Sequence, residues 1–280
     1  MNADTSSSSV RVGSVVSLWR YPVKSMMGEE LNATDVTEGG LVGDRQFAVV
    51  DAATGKVAGA KNPRKWGNFF DFRAAYVEPP KAESKLPSVR LTLPDGTLVT
   101  SEESGLDQIL SRALGREVKF AQAPGNGEVR GATAEEYWPD MDGLDYRDTV
   151  TDWELPPGTF FDLAIVHVLT TATLDRLREL YPEGKFEVRR FRPNVVVGCD
   201  GRGFVENDWI GRTLAIGDDV RLRVTGPCPR CVMTTLPQGD LPKDPGILRT
   251  AAQENAANVG VYAGVLRGGT VRRGDAVALN

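Results

Sequence analysis

Residues 212–226, RTLAIGDDVRLRVTG, contain two runs in which apolar and polar side chains alternate, with Gly217-Asp218 between them. Alternation of this kind predicts strands with one buried face, and the Gly-Asp pair predicts the turn of a β-hairpin. Residues 260–279, GVYAGVLRGGTVRRGDAVAL, predict the last strands of the chain. The second half is therefore expected to consist mainly of strands.

The first half follows the same pattern. Strands or hairpins are predicted at VGSVVSLWR (12–20), RQFAVVDAATGKVAGA (45–60, two strands around Thr54-Gly55), VRLTLPDGTLVTS (89–101, with Asp95-Gly96 as the loop) and VKFAQA (118–123). Helices are predicted at 106–114, capped by Ser104 and ended by Gly115, at 174–180, capped by Thr173, and at 246–258. No strand–helix–strand rhythm appears, so the predicted fold class is mainly β with short helices (α+β), with β-barrel architecture.

Composition and charge narrow the possible functions. The chain has 280 residues, a formal net charge of −5 and three cysteines. The negative charge argues against general binding to nucleic acid or to acidic membranes, and three cysteines that cannot all pair suit a reducing compartment. Residues 1–9 are rich in serine, lack an apolar signal segment and predict a disordered tail. We expect a soluble cytoplasmic protein with no nucleic-acid or membrane partner.

The most distinctive chemical motif is Cys228-Pro229-Arg230-Cys231. A structural zinc site would need two further ligands, and neither Cys199 nor His167 stands at the spacing of a zinc finger. A thioredoxin-like dithiol normally begins a helix, whereas VMTTLP (232–237), which follows the motif, has a β-like pattern. Both of these interpretations are therefore weak.

Two other interpretations of the motif stay open. Free cysteines are commonly small buried hydrophobic residues, and both cysteines could simply pack in a barrel. Alternatively, Cys231 is a single thiolate ligand to a soft, high-valent metal, and the neighbouring Arg230 lowers the pKa of its thiol. The spacing alone does not decide between them.

Several cationic and polar residues stand at predicted loop positions. Lys24 and Ser25 follow the first strand and together suit a phosphate group, and Arg45 follows a glycine-rich turn as a second candidate phosphate ligand. Arg192 and Asn194 flank a proline and form a rigid polar corner that can hydrogen-bond a planar heterocycle. Each of these is weak as an isolated motif, because ion-paired or solvated surface residues look the same.

Residues 124–160 combine glycines and acidic residues with Trp138 and Trp153. This segment is either a connection that lies over a site or a solvated linker. His167 lies in an apolar run and is expected to be a buried histidine without a catalytic role. Cys199, at the end of a predicted strand, is expected only to pack.

Five motifs follow one another along the chain, namely YPVKS (21–25), GGLVGDR (39–45), FRPN (191–194), CPRC (228–231) and VRRGDAV (271–277). Taken in this order, they resemble the motifs of the MOSC superfamily. The resemblance covers residues 10–280. It implies a MOSC N-terminal β-barrel domain over 10–125 and a MOSC domain over 126–280. The relatives expected from this architecture are the mitochondrial amidoxime-reducing components and bacterial proteins that reduce N-hydroxylated bases.

The resemblance also implies a molybdenum–molybdopterin cofactor, whose metal is held by the second cysteine of the motif, Cys231. The residues implied to bind the phosphate and pterin ring of the cofactor are Lys24, Ser25, Arg45, Arg192 and Asn194, and Arg230 beside the ligand is counted with them. Relatives often have serine or asparagine where this chain has Pro229, so one cofactor contact is expected to be missing. Pyridoxal phosphate binding is a further property that the family implies.

The leading hypothesis is a molybdenum-dependent reductase of small N-oxygenated substrates. No general acid is evident in the sequence, and Asp162 and Tyr21 are no more than candidates for that role. With no ferredoxin-like cysteine run and no haem signature, the chain would receive electrons from a separate protein of the ferredoxin or flavin-reductase type. The alternative is a carrier or sulfur-transfer protein that uses Cys231 as a persulfide or cofactor anchor. A third hypothesis is a pathway-specific tailoring enzyme.

Overall fold

The computed structural model describes residues 9–123 and 132–280. Only Ser9 of the predicted tail 1–9 lies within these ranges, and the predicted domain boundary between residues 125 and 126 lies outside them, so both stay predictions. Strands dominate the described residues, as predicted, and the helices are short. Within the described ranges, no helix is both long and apolar enough to cross a bilayer.

The first half contains nine strands and two helices, namely β1 (Val10–Arg20), β2 (Glu29–Leu31), β3 (Ala33–Thr37), β4 (Gly40–Leu41), β5 (Phe47–Asp51), α1 (Pro63–Trp66), β6 (Arg73–Tyr76), β7 (Val89–Thr92), β8 (Leu98–Thr100), α2 (Leu106–Leu114) and β9 (Val118–Gln122). The second half contains β10 (Thr133–Trp138), β11 (Thr149–Glu154), β12 (Val166–Thr170), α3 (Thr171–Leu180), α4 (Val188–Phe191), β13 (Val195–Gly198), β14 (Thr213–Ile216), β15 (Val220–Pro229), α5 (Pro245–Asn255), β16 (Asn258–Arg267), β17 (Gly269–Arg272) and β18 (Ala276–Leu279). Short 3₁₀ helices lie at Phe69–Asp71, Val205–Trp209 and Val232–Thr235.

Seven strands form a closed barrel in the order β1, β13, β12, β16, β15, β14 and β18, and β18 pairs back onto β1. Neighbouring strands are antiparallel except for β12 and β13, which are parallel. Inward-facing aliphatic side chains fill the interior, among them Leu18, Val168, Leu214, Val224 and Val277. Six of the seven strands come from the second half of the chain, so the barrel closes only because β1 fits between β13 and β18.

Strands β2, β3 and β4 pack on the barrel core, and most of the remaining first half packs around a second core, beneath small sheets such as β5–β9 and β6–β7–β8. This core is rich in aromatic residues, with Trp66, Phe69 and Phe72 all buried. Helix α2 covers it with leucines at i, i+4 and i+8. Met233 and Leu236, which follow the Cys-x-x-Cys motif, belong to the same core. The motif therefore lies where the two cores meet.

The hairpin predicted at 212–226 is confirmed as β14–β15, and the hairpin predicted at 89–101 is confirmed as β7–β8. The prediction of two strands at 45–60 is wrong in part, because only β5 forms. The second run contributes an isolated bridge from Val57 to Val50 across the predicted turn.

Two predicted helix caps are also wrong. Helix α2 ends at Gly115 as predicted, but its N-cap is Gly105 in a left-handed conformation, and Ser104 does not cap it. Helix α3 begins three residues earlier than predicted, because the Thr170 side chain accepts a hydrogen bond from the Thr173 N–H. Thr173 is therefore the donor in the capping contact, and Thr170 is the cap.

Two glycines of β16 test the packing of the barrel wall. Gly260 has a φ of 84°, and a Cβ there would lie 2.3 Å from Nε2 of His167 and 2.6 Å from the carbonyl oxygen of Val168. Gly264 has open space where its Cβ would be. We expect Gly260→Ala to lower the free energy of unfolding by about 2–4 kcal/mol, and Gly264→Ala to change it by less than about 0.5 kcal/mol. Urea unfolding of both variants measures this, and equal effects would contradict it.

Candidate functional site

Strand pairing brings distant parts of the sequence to one rim of the barrel. β1 and β13 are antiparallel with Leu18 opposite Val195, so the end of β1 lies beside the start of β13. β12 runs parallel to β13, so the starts of these two strands are adjacent. At the end of β15, Pro229 lies opposite Asn258 at the start of β16. The segments that flank these strand ends therefore meet.

A cavity lies at this rim. Its walls include all seven residues that the sequence predicts to bind a cofactor or a metal, namely Lys24, Ser25, Arg45, Arg192, Asn194, Arg230 and Cys231. Its volume is about 70 Å³, well below the roughly 300 Å³ at which cavities for small organic molecules begin. The fold thus brings the predicted residues together, in a space that their side chains largely fill.

Lys24 and Asp162 form an ion pair in this cavity, with 2.5 Å between Nζ and Oδ1. Lys24 also donates a hydrogen bond of 2.8 Å to the carbonyl oxygen of Phe160. Burial lowers the pKa of Lys24 to about 8, although Asp162 acts in the opposite direction. Burial raises the pKa of Asp162, but Lys24 and Lys61 outweigh it and hold that pKa far below its ordinary value. Asp162 is therefore ionised and is poorly suited to be a proton donor.

Arg45 and Arg192 both contact the buried ring of Tyr21, with guanidinium carbons 4.9 and 4.1 Å from its centre. Arg45 is also paired with the buried carboxylate of Asp44. The Tyr21 hydroxyl donates a hydrogen bond of 3.2 Å to the carbonyl oxygen of Pro193, and burial raises the pKa of the phenol. Tyr21 is therefore a packing platform for the two arginines and is poorly suited to give up a proton.

Three of the cavity residues have a left-handed backbone conformation. The φ angle is 65° at Ser25, 50° at Arg45 and 52° at Arg192. This region is unfavourable for residues that carry a Cβ, and it recurs at functional sites where the surrounding structure holds the strain. No feature of the sequence pattern reveals this property.

Asn194 is committed to hydrogen bonds within the protein. Its Oδ1 accepts a hydrogen bond of 3.0 Å from the N–H of His167. Its Nδ2 donates to Oδ2 of Asp44 at 2.9 Å and to the carbonyl oxygen of Trp19 at 3.3 Å. The Asn194 side chain links β1 to β12 and holds Asp44, which is the partner of Arg45. It therefore positions Arg45 indirectly.

The two cysteines of the motif have different surroundings. Cys228 is fully buried and its Sγ accepts a hydrogen bond of 2.7 Å from Nη1 of Arg230, whereas Cys231 is partly exposed and lines the cavity. Burial, reinforced by Glu136, raises the pKa of Cys231 to about 12, although Lys61 and Arg230 lower it. Arg230 lowers this pKa, as expected, but the expected net lowering is wrong, because desolvation outweighs its charge.

The segment after the motif is helical, contrary to the β-like pattern of the sequence. Val232–Thr235 form a 3₁₀ helix that begins directly after Cys231. The hydroxyl of Thr234 donates to the carbonyl oxygen of Cys231 at 3.0 Å, and that of Thr235 donates to the carbonyl oxygen of Val232 at 2.8 Å. These side-chain contacts to the backbone favour the turn over the extended form, and the turn fixes Cys231 at the cavity wall.

Lys61 is a cavity residue to which no sequence motif points. Its Nζ lies 3.4 Å from Oε2 of Glu136, 3.6 Å from Oδ2 of Asp162 and 4.2 Å from the ring centre of Trp153. It stands in the polar run KNPRK (61–65), which has no strand or helix periodicity. The long-range pairing of this run with β10 is what brings Lys61 to the cavity.

The described part of the segment 124–160 includes a hairpin that lies at the cavity. β10 and β11 pair in antiparallel register along their whole length. They contribute Glu136, Trp138 and Trp153 to the wall of a second cavity of about 420 Å³. The two cavities share the lining residues Lys61, Leu163, Pro229, Arg230 and Tyr262. Of the two interpretations of this segment, the connection that lies over a site fits the structure.

The donor set of the first cavity suits an anion. Five cationic side chains line it, those of Lys24, Arg45, Lys61, Arg192 and Arg230. Among the described residues, Asp162 is the one carboxylate in its lining. Among the described side chains, Nη2 of Arg192 and Nε of Arg230 are buried without a hydrogen-bond partner. A buried donor without an acceptor is costly, so an anionic ligand would relieve both.

Comparisons with known proteins agree with this architecture. A model of the MOSC domain matches residues 158–278, and a model of the MOSC N-terminal beta barrel domain matches residues 12–69. The chain is 28% identical over 248 residues to mitochondrial amidoxime reducing component 2 of Rattus norvegicus, and the match covers 81% of this chain and 67% of that protein. The human protein of the same name is 28% identical over 251 residues with the same coverage.

Among solved structures, the YUAD protein from Bacillus subtilis aligns over 97% of this chain and 94% of its own, with a TM-score of 0.46 and 13% identity. Because the curated relatives are named mitochondrial, the cytoplasmic location expected for this chain stays a prediction. Binding of pyridoxal phosphate also stays a prediction.

His167 is the sole histidine of the chain, and it is buried, as predicted, with Nε2 3.0 Å from the carbonyl oxygen of Val259. Burial and the charge of Arg230 lower its pKa to about 3. The unfolded chain takes up this proton near pH 6.5, so we expect the contribution of His167 to stability to fall as the pH drops from about 6.5 to about 3. In NMR of a tag-free chain, its ring signals should stay fixed between about pH 8 and pH 5. A midpoint near pH 6.5 would contradict this pKa.

Proposed function

Because this chain belongs to the MOSC superfamily, with a MOSC N-terminal beta barrel domain and a MOSC domain, we propose that it is a molybdenum cofactor-dependent reductase of N-oxygenated substrates. The names of its mammalian relatives, amidoxime reducing components, support the substrate class. The observation that carries the proposal is the convergence of Cys231 and of cations from both halves of the chain on one cavity. An anionic, metal-bearing cofactor accounts for the cations and for the thiol together.

We assign the phosphate of the cofactor to Lys24, Ser25 and Arg45. The volume of about 70 Å³ suits a phosphate group better than a whole pterin, so side chains have to move when the cofactor binds. The ion pair between Lys24 and Asp162 is the contact that an incoming phosphate would replace. Lys61 lies 3.6 Å from the same carboxylate and can keep Asp162 neutralised during the exchange.

We assign the pterin ring to Arg192 and the metal to Cys231. The unpartnered Nη2 of Arg192 and Nε of Arg230 are donors that an anionic pterin and its sulfur atoms can satisfy. Asn194 acts as a positioning residue, because its side chain is already bonded within the protein. Cys231 releases its thiol proton when it binds the metal, since the thiolate is the ligand form.

When bound, the cofactor would supply the two-electron redox chemistry that removes oxygen from nitrogen. Conversion of an N–OH group to N–H consumes two electrons and two protons and releases one water molecule. Burial lowers the pKa of Lys61, but Asp162 and Glu136 outweigh it and raise that pKa, so Lys61 keeps its proton and acts as a fixed cation. We propose that the protons come from solvent water.

We propose that the electrons come from a separate protein of the ferredoxin or flavin-reductase type. The whole sequence has three cysteines, fewer than the four that an ordinary iron–sulfur cluster requires. The alternative, a carrier or sulfur-transfer protein, would keep the cofactor or a persulfide at Cys231 without reducing any substrate. Metal content and turnover together separate the two functions.

Molybdenum content tests the assignment of Cys231 as the ligand of the metal. Protein from a host that makes molybdopterin should contain about one molybdenum per chain, and Cys231→Ala should contain almost none. Cys228→Ala should keep the metal and lose about 1–2 kcal/mol of stability, because Cys228 is fully buried. Equal loss of metal in both variants would refute the assignment of Cys231, and a metal-free wild type would refute the cofactor.

The phosphate assignment predicts that Lys24→Ala lowers the pterin content at least about tenfold, because a buried charged hydrogen bond is lost. The variant should still fold, because Asp162 keeps Lys61 as a cationic neighbour. Lys65→Ala is the matched control, since Lys65 pairs with Asp51 and Glu135 and does not line the cavity. Fluorescence of the released, oxidised pterin measures both contents. Similar pterin contents in the two variants would contradict the phosphate assignment.

Turnover tests the reaction. Reduced, molybdenum-loaded protein should convert a hydroxylamine or an amidoxime to the corresponding amine or amidine with the consumption of two electrons. Loaded protein that reduces neither class would favour the carrier function.

A further inference from the structure

The hairpin β10–β11 forms a wall of the second cavity, next to the cluster that surrounds Cys231. We propose that this hairpin selects N-oxygenated substrates that carry a flat aromatic group and binds that group in the second cavity. The inference rests on the proposed function for the reaction itself. It adds the part of the substrate that is recognised and the residues that recognise it.

The outer face of the hairpin is fixed to the first half of the chain. Lys56 contacts Asp152 at 2.7 Å and Glu135 at 3.2 Å. The backbone of the hairpin is held as well, because Val57 donates its N–H to the Thr133 carbonyl oxygen at 2.8 Å. The side chains on the inner face are therefore presented by a rigid element, which is what a selective site requires.

The inner face carries the aromatic side chains. Trp138 and Glu136 are two residues apart in β10, so they lie on one face, and their partners across the hairpin are Thr149 and Thr151. Trp153 lies opposite Ala134 on the same face. Two tryptophans and one carboxylate thus face the cavity together.

Both tryptophan rings have restricted orientations. Nε1 of Trp138 donates a hydrogen bond of 2.8 Å to Oγ1 of Thr151, and its ring packs 5.2 Å from that of Tyr146. The ring of Trp153 is held by Nζ of Lys61 at 4.2 Å. Rings fixed in this way can stack a flat ligand with little loss of side-chain entropy.

The remaining wall of the cavity is mainly apolar. Tyr262 adds a third aromatic side chain, and Leu144, Leu163 and Ala257 add aliphatic surface. The volume of about 420 Å³ falls within the range of cavities that bind small organic molecules. An aromatic ring with a short substituent fills such a space, and a small aliphatic substrate leaves much of it unfilled.

The polar end of the second cavity is where we expect the reacting group of the substrate to lie. Lys61 and Arg230 line both cavities, and Glu136 pairs with Lys61 at their boundary. An N-oxygenated group that reaches this boundary comes next to the cavity that Cys231 lines. The aromatic group of the substrate would therefore lie beside the hairpin, and its N–O bond would lie nearer to Cys231.

Benzamidoxime and acetamidoxime provide the test, because they share the reacting group and differ by phenyl against methyl. With molybdenum-loaded protein and a reduced viologen dye, we expect a KM for benzamidoxime about tenfold below that for acetamidoxime. Trp138→Ala should raise the KM for benzamidoxime about tenfold and leave kcat, and the KM for acetamidoxime, within about twofold.

Two variants serve as controls. Trp138→Phe keeps an aromatic ring and should restore most of the affinity. Val150→Ala lies in β11 on the face opposite Trp153, is 42% exposed in the wild type, and should change neither KM. Molybdenum content and melting temperature of every variant separate loss of cofactor or of folding from loss of substrate binding.

Equal KM changes for both substrates in Trp138→Ala would overturn the inference, and so would loss of molybdenum from that variant, since the second cavity would then hold the cofactor. Tryptophan fluorescence of the metal-free chain gives an independent readout. Benzamidoxime should quench it in the wild type, and acetamidoxime should not. A wild type that neither binds molybdenum nor reduces either compound would defeat the proposed function, while the quenching experiment would still decide whether the cavity binds an aromatic group.

Discussion

The pairing of β1 with β13 is the constraint on which the site depends. The two strands are antiparallel with Leu18 opposite Val195, so the chain leaves β1 at the point where it enters β13. Lys24 and Ser25 follow the first strand, and Arg192 precedes the second. Because β1 also closes the barrel, the interaction that completes the hydrophobic core is the one that brings Lys24 and Arg192 together. A chain that lost this pairing would lose the core and the site together.

The charges gathered at the rim need counter-charges in a region of low dielectric. Asp162 supplies one for Lys24 and Asp44 supplies one for Arg45. Arg192 and Arg230 rely instead on backbone carbonyl oxygens and on the Cys228 sulfur, and each keeps one buried donor unpartnered. These contacts leave two buried donors that an anionic ligand could satisfy. The left-handed backbone at Arg192 is a further cost of presenting these groups.

The fold was largely predictable, because alternation in runs such as 212–226 is a local signal that burial of one face enforces. That the site residues line one cavity was predictable only through the ordered motifs, since Lys24 and Arg192 look like ordinary surface cations when taken singly. Lys61 could not be predicted, because its place depends on a contact between distant segments: its carbonyl oxygen accepts a hydrogen bond of 2.8 Å from the N–H of Tyr137 in β10. The high pKa of Cys231 escaped prediction for a related reason: its neighbour Arg230 is visible in the sequence, and the burial that outweighs it is not.

The two cavities are built by different means, and this difference has a consequence for specificity. The first cavity lies at the ends of barrel strands, so its position is tied to the closure of the barrel. The second is made largely by a hairpin inserted between the two halves of the chain, held by ion pairs such as Lys56–Asp152 and by its own cross-strand hydrogen bonds. Side chains on its inner face, such as Trp138, can change without altering the closure of the barrel or the position of Cys231. Under the proposed function, substrate choice could therefore vary on the hairpin while the residues assigned to the cofactor stay constant, which is the division expected when a rigid scaffold carries a variable binding element.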